Sequence, residues 1–325
     1  LGVQLPRSGV ELGEMIAQRW RWFSFRVRFH PWTTNELPRI AGTLQDYIDL
    51  TRLNRPIGIW LLLWPTLWAV WIAGRGRPDP HLFVIFVAGT VLMRSAGCAI
   101  NDYADRSFDP HVDRTKQRPL AAGRISTVEA LILFAVLSLM ALVLALQLNK
   151  MTLLLAVFGA FLAVSYPFVK RFLSVPQLYL GVTFGWGIPM AFAAQLERVP
   201  RVAWLLLIAN MLWVTVYDTI YAMVDRDDDI KVGVRSTAIL FGDSDRHVIA
   251  ALQGMTLLSL YLAGRMLRMG DWYYAGLIAG AIFFVHHLWL IRSRDRAACF
   301  RAFLSNHYFG MSVFIGIVLN YQFSI

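Results

Sequence analysis

A chain of 325 residues that is 57% hydrophobic and only 16% charged is not a soluble domain, where an apolar share of roughly 45–50% is usual. Its net charge of +10, from 31 Lys and Arg against 21 Asp and Glu, would raise nucleic acid as a partner for a soluble protein. In a chain of long apolar runs, basic residues instead set membrane topology, and nucleic acid drops out as a partner.

The first 50 residues hold Arg7, Arg19, Arg21, Arg26, Arg28 and Arg39 among Trp20, Trp22 and Phe23, a composition expected of a basic interfacial arm. Glu11, Glu14 and Glu36 argue against a mitochondrial transit peptide. Nine apolar runs follow, at 57–74, 82–100, 128–148, 151–168, 176–195, 202–222, 248–267, 272–291 and 308–323. Inside lipid the backbone must satisfy its own hydrogen bonds, and runs this long and continuous suit helices, not barrel strands. The expected fold class is therefore all-α, a polytopic membrane protein of about nine transmembrane helices embedded in the lipid bilayer. Cys98 and Cys299 lie in or beside these runs without metal spacing and read as packing residues.

Orientation follows from counting. The N-terminal segment and the loops after the second, fourth, sixth and eighth runs carry 23 Lys and Arg, the opposite side carries 7 counting Arg265 near the end of the seventh run, and Arg94 lies within the second run. That imbalance predicts a cytoplasmic N-terminus. It also places on the cytoplasmic side two acidic stretches, 101–109 and 218–229, that follow the second and sixth runs. The correspondence suggests two four-helix pseudo-repeats plus a ninth helix.

The two stretches carry the chemistry. Nine of the 21 acidic residues fall in them or beside them, at 102, 105, 109 and 113 and at 218, 225, 227, 228 and 229. On a helix, residues four and eight apart share a face. Asn101, Asp105 and Asp109 have that spacing, with Asp102 beside them, and Asp218, Tyr221, Asp225 and Asp229 fall on one face by the same arithmetic. Each stretch thus offers hard oxygen ligands at a helix end. Such ligands suit Mg²⁺, which is usually held by one or two carboxylates plus substrate phosphates. A calcium loop fails, since its turn glycine would be Ile230 and its bidentate Glu would be Ser236. No Gly-rich phosphate loop and no HExxH are present. Arg94, seven residues before Asn101 and on the same face, reads as a contact to an anionic substrate group, because a charge within an apolar span normally faces a cavity or a partner. Further basic residues gather at Arg52 and Arg55, at Arg114, Lys116 and Arg118, and at Lys170 and Arg171.

At these residues the chain resembles the UbiA-type family of membrane-embedded prenyltransferases, in its 4-hydroxybenzoate polyprenyltransferase branch. Its pattern NDxxDxxxD matches at Asn101, Asp102, Asp105 and Asp109, and DxxYxxxDxxxD at Asp218, Tyr221, Asp225 and Asp229. RLNRPIG from Arg52, LWPTLW from Leu63, RPL from Arg118 and STAILFG from Ser236 extend the match, so the expected division is an arm at 1–50 and a prenyltransferase domain at 51–325. The resemblance implies a nine-helix bundle around a cavity open to lipid, which joins C1 of a polyprenyl diphosphate to C3 of 4-hydroxybenzoate, releases pyrophosphate and serves ubiquinone synthesis. It implies Mg²⁺ on Asn101, Asp105, Asp225 and Asp229, with Asp102, Asp109 and Asp218 adding coordination directly or through water. The expected substrate-binding residues are Arg52, Arg55, Arg94, Tyr166, Lys170, Arg171 and Tyr221, with Arg171 on the benzoate carboxylate and Lys170 as its second. No obligate protein partner is implied, and the expected location is a bacterial inner membrane. The rival readings are a sister prenyltransferase with a naphthoate, homogentisate or haem acceptor, and a secondary transporter, whose ionisable residues would lie nearer mid-membrane.

Overall fold

The computed structural model describes residues 42–112, 114–232 and 235–323. Most of the basic arm, and Asp113, lie outside the described residues. Each of the nine apolar runs is helical, and no strand occurs among the described residues. A short helix α1 (Leu44–Thr51) precedes α2 (Ile57–Ala73), α3 (Pro80–Asp105), α4 (Thr127–Ala145) and α5 (Lys150–Val169). Then come α6 (Pro176–Gly185), α7 (Gly187–Leu196), α8 (Arg201–Val232), α9 (Thr237–Phe241), α10 (Asp245–Leu267), α11 (Asp271–Leu290) and α12 (Arg296–Phe323). Among the described residues, seven helical stretches are long and apolar enough to cross a membrane.

Three boundaries differ from those read off the sequence, each for a local reason. The fifth run is divided at Trp186 into α6 and α7. There the indole N–H donates to the Leu155 carbonyl at 2.8 Å, and the flanking Gly187 lets Thr66 approach where a Cβ would sit only 2.7 Å from its hydroxyl. The sixth run continues through the second acidic stretch to Val232, and the ninth belongs to a helix that begins at Arg296. Hydropathy ends at the water boundary, whereas the helical hydrogen-bond ladder continues past it.

Starts are set by caps. Ser126 and Glu129 form a capping box at α4, and Thr43 and Asp46 form one at α1, satisfying donors that a helix start leaves orphaned. Glu129, itself buried, also accepts from the Gly42 N–H at 3.1 Å and the Tyr47 hydroxyl at 2.7 Å. That contact fixes α1 against the start of α4 and thereby places Arg52, the residue after α1.

α8 is the most enclosed membrane-length helix, 67% buried, against 17% for α4 and for α5. The apolar residues α4 and α5 expose, such as Leu139, Leu154 and Phe161, suit lipid. Around α8 the core is aromatic: Trp213 stacks on Trp68 of α2 at 5.6 Å and lies 5.2 Å from Phe309 of α12. Their indole donors are satisfied internally, Trp68 by the Gly310 carbonyl at 2.9 Å and Trp213 by Asn306 at 3.2 Å. α11 and α12 meet through glycine, since a Cβ on Gly276 would stand 2.8 Å from the Gly316 Cα and from the Ser312 carbonyl. Small residues that let backbones approach drive helix association where lipid removes the hydrophobic force. Gly276→Ala is therefore expected to cost about 1–3 kcal/mol of stability by overpacking. Gly89→Ala, with open space around the new methyl, is expected to be silent. Thermal midpoints in detergent, read by size-exclusion chromatography, check both.

Candidate active site

The two acidic stretches end α3 and α8 at the same pole of the bundle. Helical spacing holds for most of the first. Asn101 and Asp105 lie on the last turn of α3, and the Asn101 amide donates to Asp105 at 3.0 Å. It fails for Asp109. α3 ends at Asp105, the chain turns, and Asp109 opens a short 3-10 turn, Asp109–His111. The second stretch keeps its spacing, with Asp218, Tyr221, Asp225 and Asp229 all within α8.

Between them the structure places positive side chains. The Lys170 ammonium, just past α5, donates to Asp105 at 2.6 Å and to Asn101 at 2.8 Å. Arg114, in the loop between α3 and α4, grips Asp225 through both carboxylate oxygens at 2.6–3.0 Å and lies 4.7 Å over the Tyr221 ring. Burial works against the Arg114 charge, but Tyr221 and Asp225 outweigh it and hold its pKa above the ordinary guanidinium value. This loop thus ties the end of α3 to the end of α8. Asp218 lies within reach of the charges on Lys170, Arg94 and Arg114, and Asp229 within reach of Asp225 and Arg114.

A second network lies about 100° round α3 from the first, near enough for Arg52 to act on Arg114 and Asp105 on Asp109. Asp102 is 1% exposed and accepts from Arg52 at 2.6 Å and from Arg118 at 3.1 Å. Arg118 also donates to Asp109 at 2.9 Å. Burial pushes the Asp109 carboxyl above its ordinary value, even against the Arg118 guanidinium beside it. Arg52 caps α1 in the left-handed region, φ 56°, a conformation costing a non-glycine residue about 1–2 kcal/mol.

The remaining expected residues divide. Arg171 donates to the Ala104 carbonyl, lies 3.6 Å from Asp105 and covers the Phe108 ring. Tyr166 stacks on Tyr179 with centroids 6.4 Å apart, and Lys170 lies 5.9 Å from its ring. Arg55 is exposed, and no contact brings it to the carboxylates. Arg94, two turns deeper on α3, has no carboxylate within ion-pair distance among the described residues. It packs on Gly58, where a Cβ would overlap its guanidinium, and lies 5.6 Å from the Phe184 centroid. Near it the buried Tyr217 hydroxyl and the Gln177 Oε1, the latter beside Asp218, have no hydrogen-bond partner.

Sequence reasoning noted Arg114 and Arg118 among the gathered basic residues without giving either a role in the site, and missed Gln177 and Tyr217. The signal for the first pair was their position directly after an acidic stretch. Gln177 and Tyr217 stand within apolar runs and carry no spacing signal.

Asn101 and Asp105 at the end of α3, and Asp225 and Asp229 at the end of α8, all carry oxygen donors. Among the described residues no three His, Cys, Asp or Glu side chains gather as a metal group. Mg²⁺, however, takes few protein ligands and completes its shell with water and phosphate. The positions that a dication would neutralise already hold positive charge, Lys170 on Asn101 and Asp105, Arg114 on Asp225. The donor set therefore fits a hard dication that displaces side-chain cations. The acids at 227 and 228 have a different role: both pair with Arg296, at 2.9 and 3.4 Å.

Residues 62–313 match the UbiA prenyltransferase family. The 4-hydroxybenzoate octaprenyltransferase of Pseudomonas fluorescens is 55% identical over 278 residues, 86% of this chain and 94% of that protein. Among solved structures, a UbiA homolog from Aeropyrum pernix superimposes with a TM-score of 0.69 at 25% identity, covering 78% of this chain and 96% of its own. A UbiA homolog from Archaeoglobus fulgidus bound to GPP and Mg²⁺ shares the fold, with a TM-score of 0.60 at 17% identity over 83% and 99% of the two chains.

The ion pairs around the site predict unequal stability effects. Asp245 is fully buried, and Arg294 donates to both its oxygens, at 2.9 and 3.0 Å. Arg294→Ala leaves that carboxylate short of charge and should cost about 3 kcal/mol. Arg296→Ala touches an exposed pair and should cost about 0–1 kcal/mol. Comparing the two variants' thermal midpoints in one detergent checks the contrast.

Proposed function

Because this chain belongs to the UbiA prenyltransferase family, we infer that it is an integral membrane enzyme that transfers a polyprenyl group from its diphosphate to C3 of 4-hydroxybenzoate. The observation that carries this reading is the pair of oxygen-bearing helix ends, α3 and α8, bridged by exchangeable side-chain cations at the mouth of a lipid-facing bundle. The 55% identity to a 4-hydroxybenzoate octaprenyltransferase over most of the chain supports the acceptor and the place in ubiquinone synthesis. The positive-inside count and the bacterial source of that relative support an inner-membrane location with the site facing the cytoplasm.

Asn101, Asp105, Asp225 and Asp229 would hold Mg²⁺, which when bound neutralises charge on a departing diphosphate. The chain's own groups do the rest. Lys170 and Arg114 stand 2.6 Å from carboxylates, close enough to turn their N–H donors to phosphate oxygens. Tyr166 and Tyr179, stacked where α5 meets α6, offer ring faces to the allylic carbon as its C1–O bond lengthens and positive charge develops. The electron-rich ring of the acceptor forms its C3–C1 bond on that carbon, loses the C3 proton, and pyrophosphate leaves.

Arg94 is the better partner for the acceptor's carboxylate. Arg171 is engaged with the Ala104 carbonyl and Asp105, whereas Arg94 lies within the membrane span with no carboxylate at ion-pair distance among the described residues. The unpartnered Tyr217 hydroxyl and Gln177 Oε1 give the same region further polar atoms for a small aromatic acid to satisfy. A charge inside a span normally faces a cavity or a partner, and Asp218 reaches Arg94 only through its longer-range field.

Asp105→Asn and Asp225→Asn are each expected to lower kcat by roughly a hundredfold or more, and near-normal turnover in either would remove the metal assignment. Arg94→Met should raise KM for 4-hydroxybenzoate by about tenfold or more, with little change in KM for the polyprenyl diphosphate. Arg171→Met showing that pattern, with Arg94→Met showing the opposite one, would return the carboxylate to Arg171.

A further inference from the structure

The Asp102 network separates this residue from the metal-binding face. Asn101 and Asp105 point to Lys170, an ammonium on a flexible stem. Asp102, about 100° round the helix from Asn101, is 1% exposed and is enclosed by two guanidinium groups. One of its oxygens accepts from both Arg52 and Arg118, at 2.6 and 3.1 Å. Cys98, one turn earlier on α3, lies close enough to Arg52 to act on its charge. Arg118 shares one nitrogen between Asp102 and Asp109. The four side chains carry two positive and two negative charges, so a dication there would face two guanidinium groups without a free carboxylate.

Both arginines come from irregular backbone. Arg52 sits in a left-handed cap at the end of α1, and Arg118 belongs to the irregular segment between α3 and α4. Among the described residues, Asp102 is the one group on a long, regular helix that hydrogen-bonds both. Their side chains remain 24% and 18% exposed, and a guanidinium has five donors, so each keeps N–H groups to offer beyond Asp102. A pair of planar, always-charged forks held side by side suits the oxygens of a diphosphate.

We propose that Asp102 is a positioning residue for polyprenyl transfer: it fixes Arg52 and Arg118 as a paired guanidinium site for the substrate's diphosphate and takes no part in holding the metal. This rests on the assignment of the metal to Asn101, Asp105, Asp225 and Asp229. It sets the second residue of the NDxxDxxxD stretch apart from its neighbours, and it explains why Asp109, displaced from the helix, is paired to the same Arg118.

The test uses the full chain in nanodiscs, with Mn²⁺ in place of Mg²⁺ read by electron paramagnetic resonance, and separate KM values for octaprenyl diphosphate and 4-hydroxybenzoate. Asp102→Asn is expected to raise KM for the diphosphate at least tenfold while Mn²⁺ affinity stays within twofold of the parent. Asp105→Asn is expected to lose Mn²⁺. Arg52→Met and Arg118→Met should reproduce the Asp102 pattern, and adding Asp102→Asn to the double arginine variant should change KM less than twofold. Loss of Mn²⁺ in Asp102→Asn, or a further tenfold rise in KM on the double arginine background, overturns the proposal. If Asp102→Asn is not recovered as a monodisperse protein, the arginine variants decide: diphosphate KM raised with Mn²⁺ retained supports the proposal, and KM unchanged overturns it. Mn²⁺ retained by Asp105→Asn would instead remove the metal assignment, and the KM comparison would still decide the role of Asp102.

Discussion

Carboxylates drawn partly out of water at a helix end must be matched by positive charge, and this requirement organises the polar pole of the bundle. Asp105 and Asn101 are matched by Lys170, Asp225 by Arg114, and Asp102 and Asp109 by Arg118 and Arg52. Each match also joins two elements. Lys170 brings the end of α5 to α3, Arg114 brings the α3–α4 loop to α8, and Arg52 brings α1 to α3. The electrostatics of the site and the closure of the bundle at this pole are thus one set of contacts. A dication that bound here would exchange with charges already present, which would avoid leaving bare carboxylates at a low-dielectric boundary.

The rest of the fold serves to hold these ends at fixed separation. α8 is held by aromatic contacts, Trp213 to Trp68 and Phe309, whose indole donors are closed by internal hydrogen bonds to Gly310 and Asn306. Close glycine contacts let α11 and α12 approach, and α4 and α5 turn large apolar side chains outward to lipid. A water-insoluble polyprenyl chain and a charged diphosphate need adjoining environments of opposite polarity. An apolar bundle with one charged pole supplies both.

Not every acid in the two stretches does the same work. Asp227 and Asp228 pair with Arg296, and Asp245 with Arg294, contacts that tie the end of α8 and the start of α10 to the segment leading into α12. Asp225 and Asp229 are left with the site. In the first stretch Asp102 and Asp109 turn to guanidinium groups and Asp105 to an ammonium. The motif is a single string of residues, but its side chains face different partners.

Composition and run length by themselves determined an all-helical membrane protein, because lipid admits no unpaired backbone and nine continuous apolar runs leave few other solutions. Helical spacing determined that Asn101 with Asp105, and Asp218 with Asp225 and Asp229, would share faces, since the α-helix repeats at a known angle. The tertiary structure decided the rest. α3 stops at Asp105, so the spacing argument for Asp109 fails; where a helix stops depends on the loop that follows, and here Arg118 and Thr115 capture Asp109 instead. Arg114 and Arg118 acquire partners only because a loop folds back over two helix ends 111 and 16 residues away in sequence. Arg94 has no carboxylate at ion-pair distance among the described residues, and Asp218 of α8 acts on it only through its longer-range field. Those relations are distances between separate elements, and no periodicity within one element encodes them.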